Sequence, residues 1–169
     1  MNPRLELIHN QTEREFRGHT FNGKSLMETC RPLTAGQAFD TKTYEGFSAW
    51  DNLAHCVYFK FVLLRHLGGA GPVEPYPWKE GSFPPAPETP TPVATEASWR
   101  ASLDYAEAVH DAYQHTLETL DGGRLSEAFD LWECTLGDAI VWVATHDTYH
   151  TAQIRNMGLE IFRKPRKPA

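Results

Sequence analysis

The stretch Leu136-Gly137-Asp138-Ala139-Ile140-Val141-Trp142-Val143-Ala144-Thr145-His146-Asp147-Thr148-Tyr149-His150-Thr151-Ala152-Gln153-Ile154-Arg155-Asn156-Met157 decides how this chain folds. Residues three and four apart share one face of a helix. Ala139, Val143, His146, His150, Ile154, Met157 and Ile161 keep that rhythm, so the stripe predicted to face the core contains two histidines. On an α-helix, positions i and i+4 lie about 40° apart around the axis and about 6 Å apart along it. Two imidazoles so placed can share one metal ion, as on the zinc-binding helix of many metalloproteases. Neutral imidazole is also the commonest protein ligand for first-row transition metals. The bland alternative is chance, because 8 histidines in 169 residues readily give one His-x-x-x-His. Against it stands the apolar stripe: buried imidazoles need polar partners, and a helical core offers few besides each other, water or an ion. A third ligand from elsewhere in the chain would decide.

The next strong helical pattern runs from Phe47 to Leu67, opened by Gly46 and closed by Gly68-Gly69 as a C-cap signal. Phe47, Trp50, Leu53, Ala54, Val57, Tyr58, Phe61, Val62 and Leu64 wrap most of its circumference, which predicts heavy burial. His55 and His66 share roughly one face but stand about 16 Å apart along the axis, so they cannot serve one ion. His55 is the candidate ligand, and His66 reads as a helix-end cation. Asp51, one turn before His55, could orient an imidazole or supply an acid–base group. Asp147 points about 100° away from His146 and reads as a solvated or bundle-edge carboxylate.

Two more helices complete the set. Residues 97–120 carry Trp99, Leu103, Ala106, His110, Tyr113, Leu117 and Leu120 in threes and fours, a seam for packing between helices. His110 on that seam reads as a core histidine paired with a neighbour's polar group. Residues 4–18 give a weaker stripe, with His9 and His19 at its edges. Ser25 can cap a short helical piece that Pro32 stops, residues 34–45 read as loop with room for one short turn, and residues 125–134 as a short helix or extended piece. The expected fold is an all-α four-helix bundle in one domain, 1–169, running up-down-down-up. The long crossover between the second and third helices is the proline-rich segment 68–94, which holds Pro72, Pro75, Pro77, Pro84, Pro85, Pro87, Pro90 and Pro92. Its aromatic residues Tyr76, Trp78 and Phe83 suggest that it packs over one end of the bundle.

Composition removes several functions. The net charge of −6, with basic residues clustered only at Arg163-Lys164-Pro165-Arg166-Lys167, argues against a nucleic-acid footprint. That tail reads as a solvated helix end. No apolar run approaches the roughly 20 residues that cross a bilayer, and no signal-peptide core opens the chain. Cys30, Cys56 and Cys134 are odd in number and share no Cys-x-x-Cys spacing, which disfavours a disulfide framework or thiolate cluster. A reducing cytoplasm is the expected compartment. Apolar residues left over on the first helix suggest a homodimer.

The segment Ser48-Ala49-Trp50-Asp51-Asn52-Leu53-Ala54-His55, followed late in the chain by His146-x-x-x-His150-x-x-Gln153-Ile154, resembles the DinB-like, or YfiT-like, superfamily of four-helix proteins. Phe21-Asn22-Gly23-Lys24-Ser25-Leu26 and Gly46-Phe47-Ser48 are similar to a common subgroup. The resemblance implies a divalent metal, nickel or zinc, held by His55, His146 and His150, with water in the remaining positions. It implies a small-molecule substrate and, for the members of known activity, transfer or isomerisation with a low-molecular-weight thiol; others are described as metal-dependent hydrolases. A non-enzymatic stress-related or small-molecule-binding member is the alternative. Three imidazoles around one ion leave positions open, the catalytic rather than the structural pattern. Gln153 could anchor a neighbouring helix or the substrate, and Tyr58 and Tyr113 could line the cavity or simply fill the core.

Overall fold

Five of the helices begin at a reciprocal cap written into the sequence. In the computed structural model, which describes residues 2–78 and 91–163, Ser25 opens α2 (Leu26–Cys30) and Thr34 opens α3 (Ala35–Ala38). Ser48 opens α4 (Ala49–His66), Thr95 opens α5 (Glu96–Thr119) and Thr135 opens α6 (Leu136–Asn156). In each, the hydroxyl accepts from the amide three residues on, and that residue's side chain returns a bond to the cap amide. Two orphan donors are satisfied at each start, which fixes where the helix begins and so which residues turn inward. The first helix, α1 (Pro3–Phe16), starts instead with Asn2 capping Arg4 and Pro3 in the first turn.

The four long helices close a ring: α1 packs on α5 and α6, and α4 packs on the same two helices. Trp50 donates to Ser102 and Gly69 abuts Thr116, so α4 and α5 run parallel. Asn52 meets His150 and Lys60 meets Asp147, so α4 and α6 run antiparallel. The core between them is Phe16, Met27, Trp50, Leu53, Val57, Phe61, Val109, Tyr113, Ile140, Val143 and Ile154 with their neighbours.

Two hairpins of two-residue strands, too short to show alternation in the sequence, decorate the bundle. β1 (His19–Thr20) pairs with β2 (Gly23–Lys24), and β3 (Ala128–Phe129) pairs with β4 (Cys134–Thr135). The second brings Trp132 against Phe59, ring centroids 5.6 Å apart. The described part of the proline-rich segment lies along α4 and α5. Tyr76 donates to the Ala54 carbonyl at 3.0 Å, Tyr105 donates to the Val73 carbonyl at 2.8 Å, and Trp78 rests edge-on against Trp50 and Tyr105. Phe83, Pro84, Pro85, Pro87 and Pro90 lie outside the described residues, as does the basic tail beyond Arg163.

Two expectations change. Ile161 does not extend the stripe of α6, because the helix stops at Asn156. Gly158 takes a φ of 101° there, and the Tyr44 ring packs so close that a Cβ would come within 2.9 Å of it. Residues 34–45 do hold the one short turn expected of them, α3, fixed by its Thr34–Gln37 cap. Asp147 is not solvated: it is fully buried and paired with Lys60 at 2.8 Å, while the Lys60 ammonium lies 4.0 Å from the Phe16 ring centroid. A lysine whose long stem reads as surface at position 60 is thus in the centre of the bundle. Burial pushes the Asp147 carboxyl up, and the Lys60 charge opposes that shift. His110 meets its expectation as a core histidine, stacked on Phe16 at 4.0 Å and bonded to Glu13 at 2.9 Å.

Removing one member of a buried ion pair strands the other. Lys60→Met is expected to lower the unfolding free energy by about 3–5 kcal/mol, whereas Lys60→Met with Asp147→Leu should recover most of the loss. Urea unfolding of both variants measures the difference, and equal losses would show that the pair does not act as a unit.

Candidate metal centre

His55 leaves α4 two turns after its cap, and His146 and His150 leave α6 one turn apart. The antiparallel packing of these helices brings all three rings together. Ring centroids are separated by 4.8 Å for His55 and His146, 4.7 Å for His55 and His150, and 4.4 Å for His146 and His150. One nitrogen from each can be chosen so that all lie within 4.8 Å of one another. The Nε2 atoms of His146 and His150 are 3.1 Å apart. Donors around a tetrahedral ion at normal zinc–nitrogen distances are separated by about 3.3 Å, so that pair already has the required spacing.

The protonation pattern suits a cation. Burial first, and the other imidazoles second, lower the pKa of His55 to about 4 and of His146 to about 3; burial lowers that of His150 to about 4. Each ring is therefore neutral at pH 7 and carries one proton. Asn52 is fully buried and donates its amide to the Ser48 carbonyl at 3.0 Å, which turns its Oδ1 towards His150 Nδ1 at 2.9 Å. By this network His150 holds its proton on Nδ1 and presents the Nε2 lone pair to His146. If His146 carries its proton on Nε2, its Nδ1 is a buried acceptor with no hydrogen-bond partner among the described residues. If the proton sits on Nδ1, that N–H has no acceptor among the described residues and, in addition, two lone pairs face each other across 3.1 Å. A cation between them makes the second arrangement favourable, and the donor set is that of a borderline-soft divalent ion.

The surroundings differ by side. Phe59 lies against both His55 and His146, with centroids 4.8 Å and 5.1 Å away, and continues to Trp132. Beyond it opens a cavity of about 320 Å³ lined by Phe59, Trp132, Trp142, Val143 and His146. On the His150 side, Tyr149 packs at 5.0 Å and Gln153 donates to Glu45 at 3.0 Å. Gln153 thus ties α6 to the loop before α4. Tyr113 is in the core, and the Tyr58 ring rests on Phe59 and Tyr76. His66 stands apart from the cluster, edge-on to Phe129 at 4.6 Å.

Asp51 is occupied elsewhere. Its Oδ2 accepts from the Ser48 amide and hydroxyl, both at 2.7 Å, completing the cap of α4. The residue that orients an imidazole is its neighbour Asn52, which the sequence reading passed over. The signal was present: Asn52 precedes His55 by three residues, which sets its amide near the same face of the helix as the imidazole. Trp132 and Trp142 were also missed, since nothing local to either marks a cavity wall.

A helical bundle with three neutral imidazoles converging from two of its helices defines a class, that of bundle proteins whose core could hold one divalent ion. The family model of the DinB superfamily matches residues 20–154, a span that includes all three histidines and Asn52. The chain belongs to the DinB superfamily. Neither the curated proteins nor the solved structures compared with it gave a match.

Loss of a hydrogen bond that orients a ligand imidazole typically costs 10- to 100-fold in metal affinity. Asn52→Leu is expected to weaken zinc binding by about that factor in chelator competition. Asp51→Ala should instead lower stability by about 1 kcal/mol through loss of the cap and leave zinc affinity unchanged. Equal effects of the two on affinity would contradict the assignment. A second expectation concerns pH. The folded pKa values of the three imidazoles lie below the ordinary 6.5, so the unfolded chain takes up protons first as the medium is acidified. Stability of the metal-free protein should be fully present above about pH 6.5 and fall progressively towards about pH 3, which thermal melts across that window would show.

Proposed function

We propose that this protein is a metal-dependent enzyme whose single divalent ion, nickel or zinc, is held by His55, His146 and His150. The reaction is the transfer of a low-molecular-weight thiol to a small substrate or the hydrolysis of a small substrate. The observation that carries this reading is that three neutral imidazoles from two helices meet beside a cavity: one wall of the centre is the cavity wall, which leaves room for a small molecule. When bound, a divalent ion supplies Lewis acidity, lowering the pKa of a water or thiol that reaches it and polarising a carbonyl. The chain's own part is to hold the ligands neutral and oriented. Asn52 keeps the His150 proton on Nδ1, burial keeps the rings uncharged, and Phe59 limits water beside them. With its carboxylate committed to the helix cap, Asp51 contributes by placing α4 rather than by proton transfer.

The protein acts in the cytoplasm as a homodimer in this reading. No helix of the described residues is long and apolar enough to cross a membrane. An apolar groove formed by Leu7, Ile8, Val141 and Ala144 between α1 and α6 supports self-association.

Elemental analysis of untagged protein purified without chelator tests the centre. One equivalent of nickel or zinc per chain is expected, and His150→Ala should lose it while keeping its helicity. Protein that never carries metal would sink the reading. Turnover is tested on the loaded protein with cysteine or glutathione plus an electrophile, and with nitrophenyl esters. Stoichiometric metal without turnover in any pairing would favour the non-enzymatic, small-molecule-binding alternative.

A further inference from the structure

The cavity beside the centre has a chemical character of its own. Its walls come from three places in the chain: Phe59 on α4, Trp142, Val143 and His146 on α6, and Trp132 on the segment between β3 and β4. None of these five residues carries a carboxylate, ammonium or guanidinium, and the imidazole of His146 sits at the inner end beside the other two. The volume of about 320 Å³ falls at the lower end of the range of small-molecule sites. Phe59 joins the two compartments, since its ring touches His55, His146 and Trp132.

A small polar thiol gains nothing from such walls. A charged group would lose its hydration there without a partner, whereas an aromatic ring can pack edge-to-face or offset against two indoles and a phenyl group. Trp142 is 48% exposed, so it forms the outer wall, the one that a ring entering from solvent would cover. A second copy of the chain is less suited to this cavity. The exposed apolar residues Leu7 and Val141 line the other groove, and Val141 points about 100° around α6 from Trp142.

We propose that the Phe59–Trp132–Trp142–Val143 cavity is the subsite for an uncharged aromatic group of the substrate, whose polar end meets the three histidines. Trp142 and Trp132 set the preference for that group. This inference rests on the metal-centre reading for its inner end and on the cavity alone for its outer end.

The two parts are separable by experiment. Binding of 4-fluorobenzyl alcohol is followed by fluorine NMR on metal-free protein, with 2-fluoroethanol as the small polar comparison. The aromatic alcohol should shift and broaden on titration, and 2-fluoroethanol should not. Trp142→Ala and Trp132→Ala, each checked for helicity by circular dichroism, should weaken the aromatic alcohol about tenfold. No binding, or binding unchanged in both variants, overturns the subsite. On zinc-loaded protein, phenylmethanethiol should displace the fluorinated alcohol at least tenfold more tightly than it does from metal-free protein, because one molecule then spans both compartments. Equal displacement from the two forms shows that cavity and centre are unconnected, which overturns the proposal. Zinc uptake is measured independently on the same samples. Protein that binds the ring but no zinc refutes the metal centre, and with it the inner half of the proposal, while keeping the apolar site. Sedimentation of the same samples covers the remaining occupant: a dimer that dissociates in Trp142→Ala would mean that a second copy fills the cavity, against the proposal.

Discussion

The buried contact between Lys60 and Asp147 fixes how α4 lies against α6. Both charges are out of water and bonded at 2.8 Å, so sliding one helix past the other by a residue would leave two bare ions in an apolar core. Apolar packing alone tolerates such slips better than an ion pair does, because one aliphatic neighbour can replace another. Once this rung is set, the others follow along the antiparallel pair. Asn52 reaches His150, and His55 falls between His146 and His150. The register that satisfies the charges is the register that gathers the imidazoles.

This arrangement also explains why polar residues can accumulate in so apolar a place. Glu15 accepts from Thr148 at 2.7 Å, Thr151 donates to the Asp147 carbonyl at 2.7 Å, and Asn52 is held between Ser48 and His150. Each of these polar groups is tied to one on the same or a neighbouring helix, which offsets the cost of its burial. Cys30 and Cys56 lie in the same interior, where burial pushes both thiols up, Cys30 to about 12. They fill space as small apolar groups rather than acting as nucleophiles.

Much of the fold was legible because the sequence marks its helices at both periodicity and ends. The threes and fours of residues 97–120 and 136–157 identified α5 and α6, and Ser25 was readable as a cap. The DinB resemblance, now shown by the family match, rested on the spacing of His55, His146 and His150, and those three rings do converge. Partners across the bundle were not legible. Lys60 and Asp147 are 87 positions apart, and each alone has the composition of a surface residue. Their burial depends on a contact that neither local pattern encodes. Asp51 and Asn52 show the same limit at closer range: both stand near His55, and only the cap geometry decides which side chain is spent on the helix start.

The imidazoles stand between a hydrogen-bonded side and an apolar side, and that asymmetry has chemical consequences. Asn52 anchors His150 from behind through Nδ1, so the lone pair of that ring is aimed rather than averaged over tautomers. Phe59 and Val143 on the other side exclude water without supplying a competing hydrogen bond, which keeps the rings neutral by raising the cost of a second proton. A ligand set that is neutral, aimed and shielded can receive a cation without first losing protons or reorienting, and most of the ordering cost is then met by folding. A wall of acids around the same three histidines would also attract a divalent ion, but it would favour imidazolium and compete with the rings for the metal. The apolar side therefore has two roles that follow from one property: by offering no charge it keeps the nitrogen donors available to an ion, and it leaves the adjoining space suited to the uncharged part of whatever binds there.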